Sequence, residues 1–132
     1  MQEETPVPTA KKILCIEDEH FIGELYARAL TRAGYDVKIV VDGPTGLKEA
    51  QTDNYDVILL DIMVPNMTGI DILKKLRDQT QTPRLHSKII ITTNLEQTEQ
   101  DRADIESQAD GYVVKAEMTP KQLVDFLSQL DA

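Results

Sequence analysis

The chain reads as an α/β protein, a doubly wound three-layer sandwich of five β/α units around a parallel sheet. Short runs of Ile, Leu and Val alternate with helical patterns from about residue 11 to about residue 130, as in strands joined by crossover helices. Four of the runs also end on a chemically loaded side chain. Residues 13–16 end on Glu17 and Asp18, 57–60 on Asp61, 89–91 on Thr92 and Thr93, and 112–114 on Lys115. In an open α/β sheet the binding crevice lies outside the carboxyl ends of the strands. One edge therefore gathers three acids, a hydroxyl and an amine.

Each element has its own local reason. Residues 1–10, with Pro6, Pro8 and no apolar period, predict a disordered N-terminal arm, leaving 11–132 as one folded domain. Lys11 and Lys12 introduce a strand near 12–16. A helix follows near 19–33, where Phe21, Leu25 and Ala29 beside Ile22, Tyr26 and Leu30 predict one apolar stripe lying on the sheet. Gly34 suits the left-handed position past its end. The alternation continues with a strand near 36–41, a helix near 44–52, a strand near 56–60, a helix near 69–79 and a strand near 88–92. The fourth helix, near 97–108, is the weakest. Its anchors are Ala103, Ile105 and Ala109 among acids and glutamines, which predicts the most mobile element. Asp110-Gly111 suits a turn into a strand near 111–114. Thr119 and Pro120 supply an N-cap and a first-turn proline for a helix near 119–130, whose stripe is Leu123, Phe126, Leu127 and Leu130.

At 132 residues the chain is one domain, large enough to bury a core without disulfides or structural metal. No stretch is long enough to span a bilayer and the N-terminus lacks a basic-then-apolar signal pattern, so a cytoplasmic protein without membrane association is expected. The single cysteine, Cys15, falls inside a strand run, where a reduced thiol acts as a small hydrophobe. A net charge of −9 argues against direct nucleic-acid binding, which needs clustered Lys and Arg, and favours basic partner surfaces. The chain stops two residues after Leu130, so a stand-alone domain with no output domain is the expectation.

The acids set the chemistry. Aligned strand ends bring Glu17, Asp18 and Asp61 together, and like charges about 4 Å apart repel by roughly 4 kcal/mol at an effective dielectric near 20. Either a carboxyl keeps its proton or a divalent cation binds, and an all-oxygen cluster suits Mg²⁺ or Mn²⁺ rather than zinc. From the acids alone, a metal site and a solvated acidic rim stand level. Lys115 and Thr93 tip the balance, because a cation and a hydroxyl opposite a carboxylate–metal cluster are what a phosphoryl group needs around its oxygens. Asp61, at the end of the third strand, is then the nucleophile, and its product is a short-lived acyl phosphate.

The stretch from Ile13 through Glu17, Asp18 and Glu19, the stretch from Ile58 through Asp61 to Pro65 with Gly69 beyond, and Gly111 through Lys115 resemble the receiver domain of two-component response regulators over about residues 11–130. The resemblance implies a flavodoxin-like (βα)₅ fold with strand order 2-1-3-4-5. It implies Asp61 as phosphoacceptor, Glu17 and Asp18 holding Mg²⁺ with the Met63 backbone carbonyl, and Lys115 on the phosphoryl oxygens. It further implies Thr93 and Tyr112 as a switch pair that repacks the α4-β5-α5 face for a downstream protein target. A histidine kinase or phosphotransfer protein would be the donor, and phosphorylation-dependent pairing of two copies is compatible with the same face. Such a domain is regulatory and turns over no external metabolite.

Counting back from Lys115 favours Thr93 over Thr92 as the switch hydroxyl. Ala116 stands where the family usually has a proline joined by a cis bond, so either strain is held there or the bond is trans and the loop takes another path. Asn94 stands where a small residue is common, restricting access. His20 is expected as an exposed first-turn residue rather than a ligand, and His86 as solvent exposed.

Three other readings compete. An aspartyl-phosphate phosphatase of the haloacid-dehalogenase kind resembles a strand ending Asp-x-Asp, which Asp61-Ile62-Met63 lacks. A flavodoxin-like cofactor binder needs backbone N–H and hydroxyl donors to hold phosphate where this chain has Glu17, Asp18 and Glu19. A phosphorylation-independent binding module survives on account of Ala116.

Met63 and Leu95, two residues beyond Asp61 and Thr93, flank the path of an attacking water in the family, and neither side chain can orient one. Slow autodephosphorylation is predicted, followed as loss of bound radiolabel; a phosphoryl half-life of seconds would contradict it.

Overall fold

The structure, a computed structural model, describes residues 11–82, 84–94 and 98–130. The expected arm at 1–10, Leu95, and the predicted start of the fourth helix at Gln97 lie outside the described residues. The elements run β1 (Lys12–Ile16), α1 (His20–Arg32), β2 (Asp36–Val40), α2 (Gly43–Gln51), β3 (Val57–Asp61), α3 (Gly69–Arg77), β4 (Lys88–Thr93), α4 (Glu99–Glu106), β5 (Gly111–Val114) and α5 (Pro120–Leu130). All pairings are parallel, in the order β2-β1-β3-β4-β5. This is the predicted flavodoxin-like topology, and it places the crevice where β1 and β3 diverge to opposite sides.

Alternating side chains feed two cores, one on each face of the sheet. Leu14, Ile16, Ile58, Leu60, Ile89 and Ile91 pack with Ala50, Ile72, Leu73, Leu76 and Ile105 from α2, α3 and α4. Ile13, Cys15, Val57, Leu59, Ile90 and Val113 pack with Tyr26, Leu30, Leu123 and Leu127 from α1 and α5. Being covered on both faces, β3 is buried along its whole length, which is why its sequence is a continuous apolar run. Burial pushes the Cys15 thiol up to about 12, as befits an inert core residue.

Helix starts are written in the sequence. Asp42, Thr68 and Thr98 each accept a backbone N–H with the side chain at 3.0–3.2 Å. Thr119 and Gln122 form a reciprocal capping box ahead of α5, Thr119 Oγ1 accepting from Gln122 N–H and Gln122 Oε1 from Thr119 N–H. Gly34 has φ 100°, the left-handed turn expected past α1.

Several expectations need correction. Two of the six residues of the predicted α1 stripe face outward: Phe21 is 74% and Leu25 37% exposed, while Tyr26 and Leu30 are buried and Ile22 and Ala29 half-buried. The sheet accepts one narrow row, 22-26-30, and Gly23 beside it lets the helix sit close to Ile39. Helix α4 spans Glu99–Glu106 and its one buried residue is Ile105, whereas Ala103 is exposed. A 3-10 turn, Lys115–Glu117, follows β5 where no element was foreseen.

His86 is exposed as expected, yet it is not solitary. Its Nδ1 lies 2.7 Å from Asp53 Oδ1 and its Nε2 3.7 Å from Asp56 Oδ1, and its backbone N–H also donates to Asp53. Asp53 sits at φ 58° to reach it, so the pair staples two loops at the pole opposite the site. The hydrogen bond to Asp53 raises the His86 pKa. Because the folded value lies above the unfolded one, this stabilisation is complete below about pH 6.5 and fades as pH climbs through the folded value. His86→Gln is therefore predicted to cost about 0.2–1 kcal/mol at mildly acidic pH and almost nothing at alkaline pH, read from urea unfolding; a cost that grows with pH contradicts the staple.

Candidate functional site

At the carboxyl edge, register does the positioning. Ile16 pairs with Leu60 and Asp61 with Thr92, so Glu17, one residue past β1, stands level with the end of β3. Glu17 N–H is held by Val40 O at 2.9 Å. Thr93 pairs with Val114, which puts Lys115 just beyond it. Glu17, Asp61, Thr92, Thr93 and Lys115 are all buried, an unusual density of polar groups at one end of an apolar sheet.

Lys115 answers that density. Its Nζ lies 3.0 Å from Asp61 Oδ2, 2.5 Å from Glu17 Oε1 and 4.0 Å from Glu19 Oε1. The Lys115–Ala116 bond is trans, as every peptide bond of the described residues is, and the 3-10 turn at Lys115–Glu117 carries the chain away from the site. Asp61 is held at its other oxygen by the Met63 N–H, 3.1 Å from Oδ1. That loop is fixed from below by Gly69, whose N–H donates to Ile62 O at 2.8 Å. A Cβ at Gly69 would run into the Asp61 carbonyl, so only glycine closes the loop.

The electrostatics are those of a crowded acidic pocket. Burial pushes the Glu17 carboxyl above its ordinary range, the Lys115 hydrogen bond pulls it back, and the Asp61 charge pushes it up again. Burial alone would lower the Lys115 value, but the hydrogen bonds to Glu17 and Asp61 outweigh it and keep the ammonium charged. Ligand oxygens of Glu17, Glu19 and Asp61 all lie within 4.8 Å of one another, the one such group among the described residues. Three carboxylates against one ammonium leave uncompensated negative charge, and an all-oxygen donor set fits a hard divalent cation.

The sequence-derived residues are brought together unevenly. Asp61, Glu17 and Lys115 meet directly. Asp18 is half-buried and is not part of the three-carboxylate group, where Glu19 stands instead. Glu19 was passed over because an acid directly ahead of a helix reads as a helix-dipole residue; its length lets it turn inward. Thr93 and Tyr112 project from one sheet face, since Ile91 pairs with Tyr112 and Thr93 follows by two. Tyr112 is half-buried, with the Arg102 guanidinium of α4 stacked 4.5 Å from its ring centre, a cation–π contact no local pattern announces. His20 is exposed at the start of α1.

Fold and pocket together define a doubly wound α/β domain with a carboxylate–lysine centre at its topological switch point. The family model for the response regulator receiver domain matches residues 13–128, and the chain belongs to that family. It is thus a receiver domain of a two-component system. It is 36% identical over 121 residues to the response regulator ArlR of Staphylococcus saprophyticus subsp. saprophyticus, covering 92% of this chain and 51% of that protein. ArlR of Staphylococcus aureus strain Mu50 is 35% identical over 121 residues, with coverages of 92% and 51%. The chain spans about half the length of these curated relatives. Among solved structures it resembles Vibrio cholerae chemotaxis protein CheY4, at TM-score 0.75 and 30% identity over 91% of this chain and 98% of that one. The receiver domain of the Francisella response regulator 1452 is similar at TM-score 0.78 and 30% identity, covering 91% and 95%. No helix of the described residues is long and apolar enough to cross a membrane.

Removing the ammonium leaves two buried carboxylates facing each other. Lys115→Met is predicted to cost about 3 kcal/mol or more of unfolding free energy at neutral pH, most of it recovered in the double variant Lys115→Met/Glu17→Gln. A loss below about 1 kcal/mol in the single variant would show that the pair is not a structural charge centre.

Proposed function

We propose that this receiver domain accepts a phosphoryl group on Asp61 from a phosphohistidine of a partner kinase or phosphotransfer protein. It reports the event by changed protein contacts on the face formed by α4, β5 and α5. The observation that carries the reading is the buried Asp61 carboxylate, hydrogen-bonded at one oxygen to the Met63 N–H and at the other to Lys115. An Asp61 oxygen attacks phosphorus, the bond from phosphorus to the donor's imidazole nitrogen breaks, and the imidazole leaves with its electron pair and picks up a proton. Lys115 exchanges its bond to Asp61 Oδ2 for one to a phosphoryl oxygen, stabilising the charge that builds there. Glu17 and Asp61, with Asp18, Glu19 and the Met63 carbonyl as further oxygen donors, would hold Mg²⁺. When bound, the ion neutralises phosphoryl charge as the group approaches the acids.

The Thr93 hydroxyl is then drawn toward the phosphoryl group, the loop after β4 follows, and Tyr112 turns inward beneath α4. That helix is poised to respond, since only Ile105 of it is buried. The domain so read regulates and has no external substrate. Ala116 was the sequence's reason for a phosphorylation-independent module; Lys115 lying 3.0 Å from Asp61 with a trans bond after it supports the phosphoacceptor reading instead.

Incubation with acetyl phosphate and Mg²⁺ is expected to add the mass of one phosphoryl group, with Asp61→Asn and chelation of Mg²⁺ each abolishing it. Phosphorylation that persists in Asp61→Asn, or none in the parent chain, contradicts the assignment.

A further inference from the structure

Helix α4 is held unequally at its two ends. Past its last turn the Gln108 carbonyl accepts the Arg77 Nε–H at 2.6 Å, and Arg77 Nη2 donates to Asp110 Oδ2 at 2.9 Å. The same Asp110 oxygen accepts the Ile89 backbone N–H at 2.8 Å, and the Asp110 N–H donates to Ile89 O at 2.8 Å. One guanidinium fork and one carboxylate therefore tie together the end of α3, the start of β4 and the turn from α4 into β5, at the pole away from Asp61. The charges suit the place, because the carboxyl end of a helix favours a cation and a guanidinium fork fixes direction as well as attraction. Ile105, the buried residue of α4, also lies near this end.

The amino end of α4 follows the loop that leaves β4 beside the pocket, and it is held differently. Thr98 caps it with a bond to the Asp101 N–H inside the helix itself, Glu99, Gln100, Asp101 and Ala103 are exposed, and Arg102 rests on the Tyr112 ring. When Tyr112 turns inward that support goes with it, whereas nothing in the turn touches the bonds at Arg77. We propose that Arg77 makes the carboxyl end of α4 a fixed pivot, so that the helix answers the pocket as a lever, about 12 Å long, whose moving end is Thr98–Arg102. The proposal rests on Asp61 as phosphoacceptor and adds where on the responding face the signal is displayed. A partner that distinguishes the two states reads the amino end of α4, and Arg77 acts on that reading from the far pole as a positioning residue.

The test is amide hydrogen exchange of the full chain with and without Mg²⁺ and beryllofluoride, for the parent, Arg77→Gln and Asp110→Asn, with binding of the mimic read separately from its fluorine NMR signal. In the parent, beryllofluoride is expected to change exchange at residues 98–104 by about tenfold, the scale of one hydrogen bond to a charged group, and to leave 105–111 within about twofold. In Arg77→Gln the mimic should change both segments. Asp110→Asn, which keeps an acceptor for the Ile89 N–H, should show the same spread in weaker form and decides the matter if Arg77→Gln does not fold. A merely structural role would speed exchange in the variants without altering which end of α4 answers the mimic. Bound beryllofluoride with 105–111 changed as much as 98–104 in the parent, with no change at either end, or with the parent pattern kept in the variants, overturns the pivot and leaves the acceptor intact. A parent chain that binds no beryllofluoride overturns the acceptor and the pivot together.

Discussion

The ammonium of Lys115, wedged between the buried carboxylates of Glu17 and Asp61, is the constraint around which this domain is arranged. Two acids at the end of an apolar sheet are tolerable only with a cation between them, and in the described residues the protein's own lysine fills that place. Each other feature serves to deliver one of these three groups. Parallel register levels Glu17 with Asp61, the glycine at 69 folds the β3–α3 loop back so that Met63 N–H meets the carboxylate, and the turn after β5 lets Lys115 reach across.

A centre of this kind is responsive because it is only partly neutralised. Negative charge left over on the acids suits a divalent ion, and a lysine hydrogen-bonded to the Asp61 carboxylate can move a short way to a new oxygen. Around it the structure grades from rigid to loose. β3 is buried throughout and anchors Asp61, whereas α4 is tied down by Ile105, by the Thr98 cap and by Arg102 lying over Tyr112. A local charge change at a rigid centre beside a lightly held helix is a workable two-state device.

What was readable beforehand follows from what periodicity and strand ends encode. Strand runs flanked by helices announced the sheet, and the residue at which each run stops announced the pocket, because topology places those stops side by side. The misplaced features need information from a second element. Phe21 and Leu25 repeat with the same period as Tyr26 and Leu30, and only the narrow contact with the sheet decides which row is buried. Asp18 is half-buried and Glu19 exposed, and only the positions of Lys115 and Asn94 show that the Glu19 carboxylate also lies beside the pocket. His86 looked solitary because its partner Asp53 lies 33 residues away, brought near by a left-handed backbone at Asp53. The acids, the hydroxyl and the amine at the strand ends already pointed to phosphoryl chemistry, and family resemblance added the division of roles among them.

The central claim is that the Asp61 carboxylate is aimed at an incoming phosphoryl group with Lys115 beside it. A crystal structure of this chain with Mg²⁺ and beryllofluoride, a stable mimic of a bound phosphoryl group, tests that most directly. The account predicts beryllium bonded to an Asp61 oxygen, Lys115 Nζ moved onto a fluorine, and the metal on Asp61 and the acids after β1. Beryllofluoride absent from Asp61 at saturating concentration, with the Lys115–Asp61 pair intact, would contradict it.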